Sequence, residues 1–286
     1  MFFLRICCRT KPLAAGLAII FLCGLSGPGC AWTQTTRIYG PEDRDVPMPS
    51  ASTVPGTANQ AAEGVLESYF HAVGATQWQG VKATGTITYS GNEAPPQGTA
   101  TLTITRDGFT RLDVTNSLGS TSFRVRGIRG GFQDVKGTLH TLPFRNARAG
   151  LFAYPFLLSP RLAQQQGISL TAGTVQLDGR SFTRLSLARP VIERQTSPRA
   201  HADVIATDVY FSPDTNLPYK SVDLVGALDP SPQRSIRVIT YEDYRQVDGV
   251  ELPFRYTETI NGQRSWVLQL TAAEPYAQTD PAYFTF

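Results

Sequence analysis

From residue 81 onward the hydrophobic period of the chain is two, and this limits what it can fold into more than any other feature. In 81–90, Val81, Ala83, Gly85, Ile87 and Tyr89 alternate with Lys82, Thr84, Thr86 and Thr88; in 98–106, Ala100, Leu102 and Ile104 alternate with Thr99, Thr101, Thr103 and Thr105. Successive side chains of a strand point to opposite faces, so each segment presents one apolar and one hydroxyl-rich face. The connections are turn-forming: Gly91-Asn92, Asp107-Gly108, Gly119 and Gly130-Gly131. Glycine in such hairpins takes positive φ without steric cost. Residues 81–142 therefore predict an antiparallel meander of about six strands. Strands resume at 168–188 around Asp178-Gly179 and continue at 204–212, 217–225, 235–245, 248–260 and 264–274. Turns at 213–216, Asp248-Gly249 and Asn261-Gly262 separate them. The total reads as about ten or eleven strands in a single mainly β domain over 61–286. Strands and helices do not alternate, which excludes a parallel nucleotide-binding sheet.

Helical signals are few. Residues 60–73 (QAAEGVLESYFHAV) place Ala62, Leu66, Tyr69, Phe70 and Val73 on one face, with Asn59 to cap the start and Gly74 to end it. The segment 143–166 is the richest apolar stretch after the leader, with Leu151, Phe152, Tyr154, Phe156, Leu157 and Leu158. Pro155 and Pro160 forbid one continuous helix there, and the segment predicts two short ones. Such a segment beside a curved sheet either closes the core or lies as a lid over a cavity. A polar loop with Arg189, Glu193, Arg194 and Arg199 spans 189–203.

The first 31 residues read as an export signal. Arg5, Arg9 and Lys11 precede an apolar run at 13–25, and small residues follow. The 13-residue run is short for a membrane span, which needs about 20 residues. Gly29 and Ala31 suit cleavage before Trp32 and a soluble periplasmic product; the alternative is lipidation of Cys30 and an outer-membrane lipoprotein. Residues 32–60, with Pro41, Pro47, Pro49 and Pro55, read as a flexible linker. All four cysteines (Cys7, Cys8, Cys23 and Cys30) lie in the leader, so the remaining chain has no disulfide or thiolate chemistry beyond Cys30 itself. The formal charge of +3 also resides in the leader, and the chain after it is neutral. A neutral chain argues against nucleic acid as a partner.

Catalytic and metal patterns are not found in the sequence. The three histidines, His71, His140 and His201, form no i, i+4 pair. His201-Ala202-Asp203 reads as a solvated turn rather than a metal pair. There is no nucleophile elbow, P-loop or dinucleotide fingerprint. The expectation is a non-enzyme without cofactor or metal. Arginine outnumbers lysine 22 to 4. Arg124, Arg126 and Arg129 cluster, either as a solvated face or as a contact for anionic head groups or a partner.

Four segments resemble the bacterial lipoprotein carrier (LolA/LolB-like) superfamily and its outer-membrane lipoprotein-sorting relatives. They are Val81 to Ile87 after the helix, Tyr210 to Pro218, Tyr244 to Pro253 with Asp248-Gly249, and the ending Asp280 to Phe286. The resemblance implies a half-open antiparallel β-barrel wrapped around two or three short helices. It also implies a hydrophobic cavity for acyl chains and a non-enzymatic role with lipids or lipoproteins in the periplasm or in outer-membrane maintenance. It transfers no lid-gating residue.

Strand parity then names the inward candidates: Ile87, Tyr89, Leu102, Ile104, Phe123, Val125, Phe254, Tyr256, Trp266 and Leu268. Leu151, Phe152, Phe156 and Leu157 would cover them as a lid. The expected partners are acyl chains and possible envelope proteins, with the chain itself a monomer. The competing expectation is a structural or interaction module of the envelope whose core is filled by its own side chains.

Overall fold

The computed structural model describes residues 60–286, apart from 75–77, 92–94, 107, 127–128, 143–145, 147–167, 178, 192–202, 227–233 and 278–279. Helix α1 (Gln60–Val73) opens it. Its apolar stripe is buried at Ala62, Leu66, Tyr69 and Val73, the helical spacing seen in the sequence. Gly74 ends it at φ 70°, its N–H donating to the Phe70 carbonyl at 3.1 Å.

Six strands follow: β1 (Gly80–Tyr89), β2 (Gly98–Thr105), β3 (Phe109–Asn116), β4 (Gly119–Arg126), β5 (Arg129–Gln133) and β6 (Leu139–Thr141). After the gap come β7 (Ser169–Leu177), β8 (Arg180–Val191), β9 (Asp203–Phe211), β10 (Pro218–Gly226), β11 (Arg234–Val247), β12 (Val250–Ile260) and β13 (Gln263–Pro275). A 3-10 turn at Pro281–Phe284 ends the chain, capped by the Asp280 side chain.

The thirteen strands form one antiparallel sheet in the order β6-β5-β4-β3-β2-β1-β13-β12-β11-β10-β9-β8-β7. Two meanders are joined where the first strand pairs with the last. Twist accumulates over so many strands and curls the sheet. Its edges, β6 and β7, do not pair with each other, so the barrel is open among the described residues.

The count of ten or eleven strands is corrected to thirteen. The meander over 81–142 has the six strands expected of it, although β5 and β6 are short at five and three residues. Two or three helices wrapped by the sheet are not matched either. Among the described residues α1 is the one α-helix of any length, with the terminal 3-10 turn beside it. The two short helices expected in 143–166 lie outside the described residues, apart from Asn146, which is buried. So do the export leader, Cys30, the linker and the lid residues Leu151, Phe152, Phe156 and Leu157.

The inner face of the sheet and the buried face of α1 share one apolar cluster running from Ala62 to Leu270. A second, smaller cluster (Leu177, Phe182, Tyr210, Val222, Ile236 and Val238) has the opposite strand parity and occupies the outer face of β7–β11. α1 packs on β7, β8 and β12. Tyr69 meets Phe211 with ring centroids 5.5 Å apart, and Gly74 lies against Gly249 in the β11–β12 turn. The helix therefore sits at the end of the sheet that carries the turns at 212–217 and 248–249.

Candidate functional site

The ten inward candidates on strands, Ile87, Tyr89, Leu102, Ile104, Phe123, Val125, Phe254, Tyr256, Trp266 and Leu268, are all buried in the inner cluster. Register brings several of them together. Ile87 pairs with Leu268, Leu268 with Tyr256, and Tyr256 with Tyr241, whose rings meet edge to face. This band is apolar apart from tyrosine hydroxyls.

Toward the end of the sheet remote from α1, the same face turns polar. One row across the strands reads Tyr89, Trp266, Glu258, Ile239, Ser221 and Val209. The next reads Ile260, Arg237, Asp223, Thr207 and Leu187. Arg237 donates from a terminal guanidinium nitrogen to Asp223 at 2.5 Å, and the Thr207 hydroxyl donates to the other Asp223 oxygen. Ser221 Oγ and the Tyr241 hydroxyl share a hydrogen bond at 2.7 Å. Both charges of the Arg237–Asp223 pair are excluded from solvent, where an ion pair survives only with close geometry and further hydrogen bonds.

Glu258 is wholly buried beside this pair, at a register shift in the β12–β13 pairing. Such shifts commonly re-aim side chains near functional sites. Neither carboxyl oxygen completes a hydrogen bond of normal geometry among the described residues. Burial pushes the Glu258 carboxyl up to about 8, with Asp223 adding to the rise, while Arg237 and the Trp266 indole N–H oppose it. The group is therefore mostly protonated at neutral pH. Burial, with the Glu258 charge beside it, also raises the Tyr89 hydroxyl.

Sequence reasoning missed Glu258, Arg237, Asp223 and Thr207. The signal was present: Glu258 has the parity of Phe254 and Tyr256, and Arg237 that of Ile239 and Tyr241. A charged residue at inward parity is itself the anomaly to look for.

A separate groove of about 340 Å³ lies at the α1 end. Ala61, Gly64, Val65 and Ser68 of the helix face Thr183, Phe211 and Asn216 across it. None of the ten inward candidates lines it. The arginine cluster has a different surrounding from that weighed in the sequence. Arg124 donates to the Thr285 carbonyl and lies over the Phe286 ring, while Arg111 donates to the Tyr283 carbonyl and lies over that ring. Arg126 stacks on Phe109, and Arg129 is exposed. His71 is exposed, and His140 stacks on Phe132 and contacts Asp134 at 3.1 Å. Among the described residues no three His, Cys, Asp or Glu side chains group as metal ligands. No described helix is long and apolar enough to cross a membrane.

No protein-family model and no curated protein matches the sequence. Solved structures similar to the chain include a LolA superfamily protein from Nitrosomonas europaea, at 12% identity and TM-score 0.49, covering 79% of this chain and 97% of that one. A DUF1329 family protein from Desulfovibrio piger is similar at 9% identity and TM-score 0.48, covering 79% and 98%. An outer membrane lipoprotein-sorting protein domain from Vibrio parahaemolyticus is similar at 11% identity and TM-score 0.42, covering 79% and 96%. These names include the superfamily that the motifs resemble.

Proposed function

We propose that this chain is an exported, non-enzymatic lipid- or lipoprotein-binding protein of the periplasm, holding an acyl chain against the inner face of its sheet. The observation that carries the reading is the apolar inner face of the sheet, to which every strand but β6 contributes, with α1 across one end. Among the described residues the sheet is open between β6 and β7, and the reading takes the ligand to enter on that side. Burying about ten methylenes at ~0.8 kcal/mol each gains about 8 kcal/mol, the micromolar range before ordering costs. The motif resemblance and the export signal support the same reading.

One observation favours the second reading, a structural envelope module. All ten inward strand residues are already buried, as they would be in a core filled by its own rings. Displacement of a fluorescent acyl probe from the delipidated mature chain, with lipid extraction of the protein as purified from the envelope, decides between them. Saturable binding and a co-purifying acyl lipid support the carrier reading. A well-folded chain that binds no acyl probe leaves the structural module.

A further inference from the structure

The inner face is polarised along the strands. α1 and the apolar band of Ile87, Leu268 and Tyr256 occupy one part, and Glu258, with Arg237 and Asp223 in the row beyond it, lies toward the opposite end. Resting on the acyl-binding reading, we propose that the ligand enters tail-first toward α1 and that its uncharged ester or hydroxyl head hydrogen-bonds to Glu258.

The charges around the head position select against an anionic lipid. Among the described residues Arg237 is the cation that acts on Glu258, and Asp223 already neutralises it across a contact of 2.5 Å. A carboxylate or phosphate head placed here would lose its water without meeting net positive charge. Among the described residues the other groups around Glu258 on this face are uncharged at neutral pH: Trp266 opposite it on β13, Ile239 opposite it on β11, Tyr89 beyond Trp266 on β1, and Tyr256 and Tyr241 in the next row toward α1.

Glu258 itself supplies what a neutral head needs. The Trp266 indole N–H bears on the carboxyl, yet among the described residues neither oxygen completes a hydrogen bond of normal geometry, an arrangement that costs stability in the free protein. A protonated carboxyl donates through one oxygen and accepts through the other. It thus pairs with an ester carbonyl and with a glycerol hydroxyl. The raised pKa of Glu258 keeps that donor in place at neutral pH.

The test uses the delipidated mature chain, a dansylated acyl probe, and three competitors with the same tail: 1-oleoylglycerol, oleate and 1-oleoyl-lysophosphatidylglycerol. At pH 7 the wild type should prefer 1-oleoylglycerol over both anions by about tenfold. Glu258→Leu should weaken 1-oleoylglycerol about five- to tenfold while leaving oleate unchanged, and Glu258→Gln should keep most of the preference. Raising the pH to about 9.5 places a charge on Glu258 in the wild type, so both anionic lipids should compete still more weakly there, while Glu258→Gln should show no such change. Equal competition by all three lipids, or an unchanged preference in a folded Glu258→Leu, overturns the head-group assignment and leaves the carrier reading intact. No competition by any of the three overturns both.

Discussion

Gly85 of β1 lies so close to Gln269 of β13 that a Cβ on it would stand 2.1 Å from the Gln269 carbonyl oxygen and 2.7 Å from Leu270 Cα. Both contacts are backbone, so no side chain can swing aside. The position is also a register shift in the β1–β13 pairing, the seam that joins the two meanders. Gly85→Ala must part the strands there and should cost about 2–3 kcal/mol in urea unfolding. The loss should appear in one transition, coincident by tryptophan fluorescence and circular dichroism, because both meanders depend on that seam. A variant as stable as the wild type would show that the strands part freely.

The buried ion pair gives a second prediction. Asp223→Ala leaves Arg237 charged in a solvent-free interior and removes the acceptor for Thr207. The expected loss is about 3–5 kcal/mol. Replacing both partners, as in Arg237→Met with Asp223→Leu, should recover most of it, because the desolvation penalty disappears with the charges. Chemical denaturation of the wild type and these two variants checks both statements. A double variant as unstable as Asp223→Ala would mean that the pair contributes more than it costs.

These residues also show how far the sequence was legible. Period two and turn chemistry located the strands segment by segment, and parity placed Ile87, Phe123 and Leu268 on the buried face, since that alternation is a direct consequence of the pleat. Helical spacing likewise identified the buried stripe of α1. What escaped was whatever depends on pairing. That β1 meets β13 is fixed by a contact nearly two hundred residues apart, with no local trace. Arg237, Asp223 and Glu258 lie on three strands, and only register makes them one cluster. Arg124 read as a surface charge because its partners, Thr285 and Phe286, come 161 residues and more further along the chain.

The terminal segment separates packing from charge. Phe284 is 1% exposed and meets Phe109 at 5.6 Å, whereas the arginine contacts over Tyr283 and Phe286 are part-exposed. Phe284→Ala should cost about 3 kcal/mol. Arg124→Ala should cost under about 1 kcal/mol, the range of an exposed cation–π contact. Thermal unfolding should therefore rank Phe284→Ala well below Arg124→Ala. The reverse order would make the arginines, not the ring, the anchor of the chain end.

Glu258 makes stability depend on pH in a direction that can be worked out. Its carboxyl rises from 4.5 to about 8 on folding, so between those values the folded protein binds more protons than the unfolded chain. Stability contributed at this site is full below about pH 4.5, falls as pH rises toward 8, and levels off above it. Glu258→Gln keeps the shape and cannot ionise. Its stability relative to the wild type should therefore grow with pH by on the order of 2–5 kcal/mol between about pH 5 and 9. Other titrating groups cancel in the difference between the two proteins, provided they are unaltered by the substitution. Urea midpoints of both proteins across that range measure it. A constant gap from acid to alkaline pH would mean that Glu258 titrates near the ordinary carboxylate value, and so carries its charge at neutral pH.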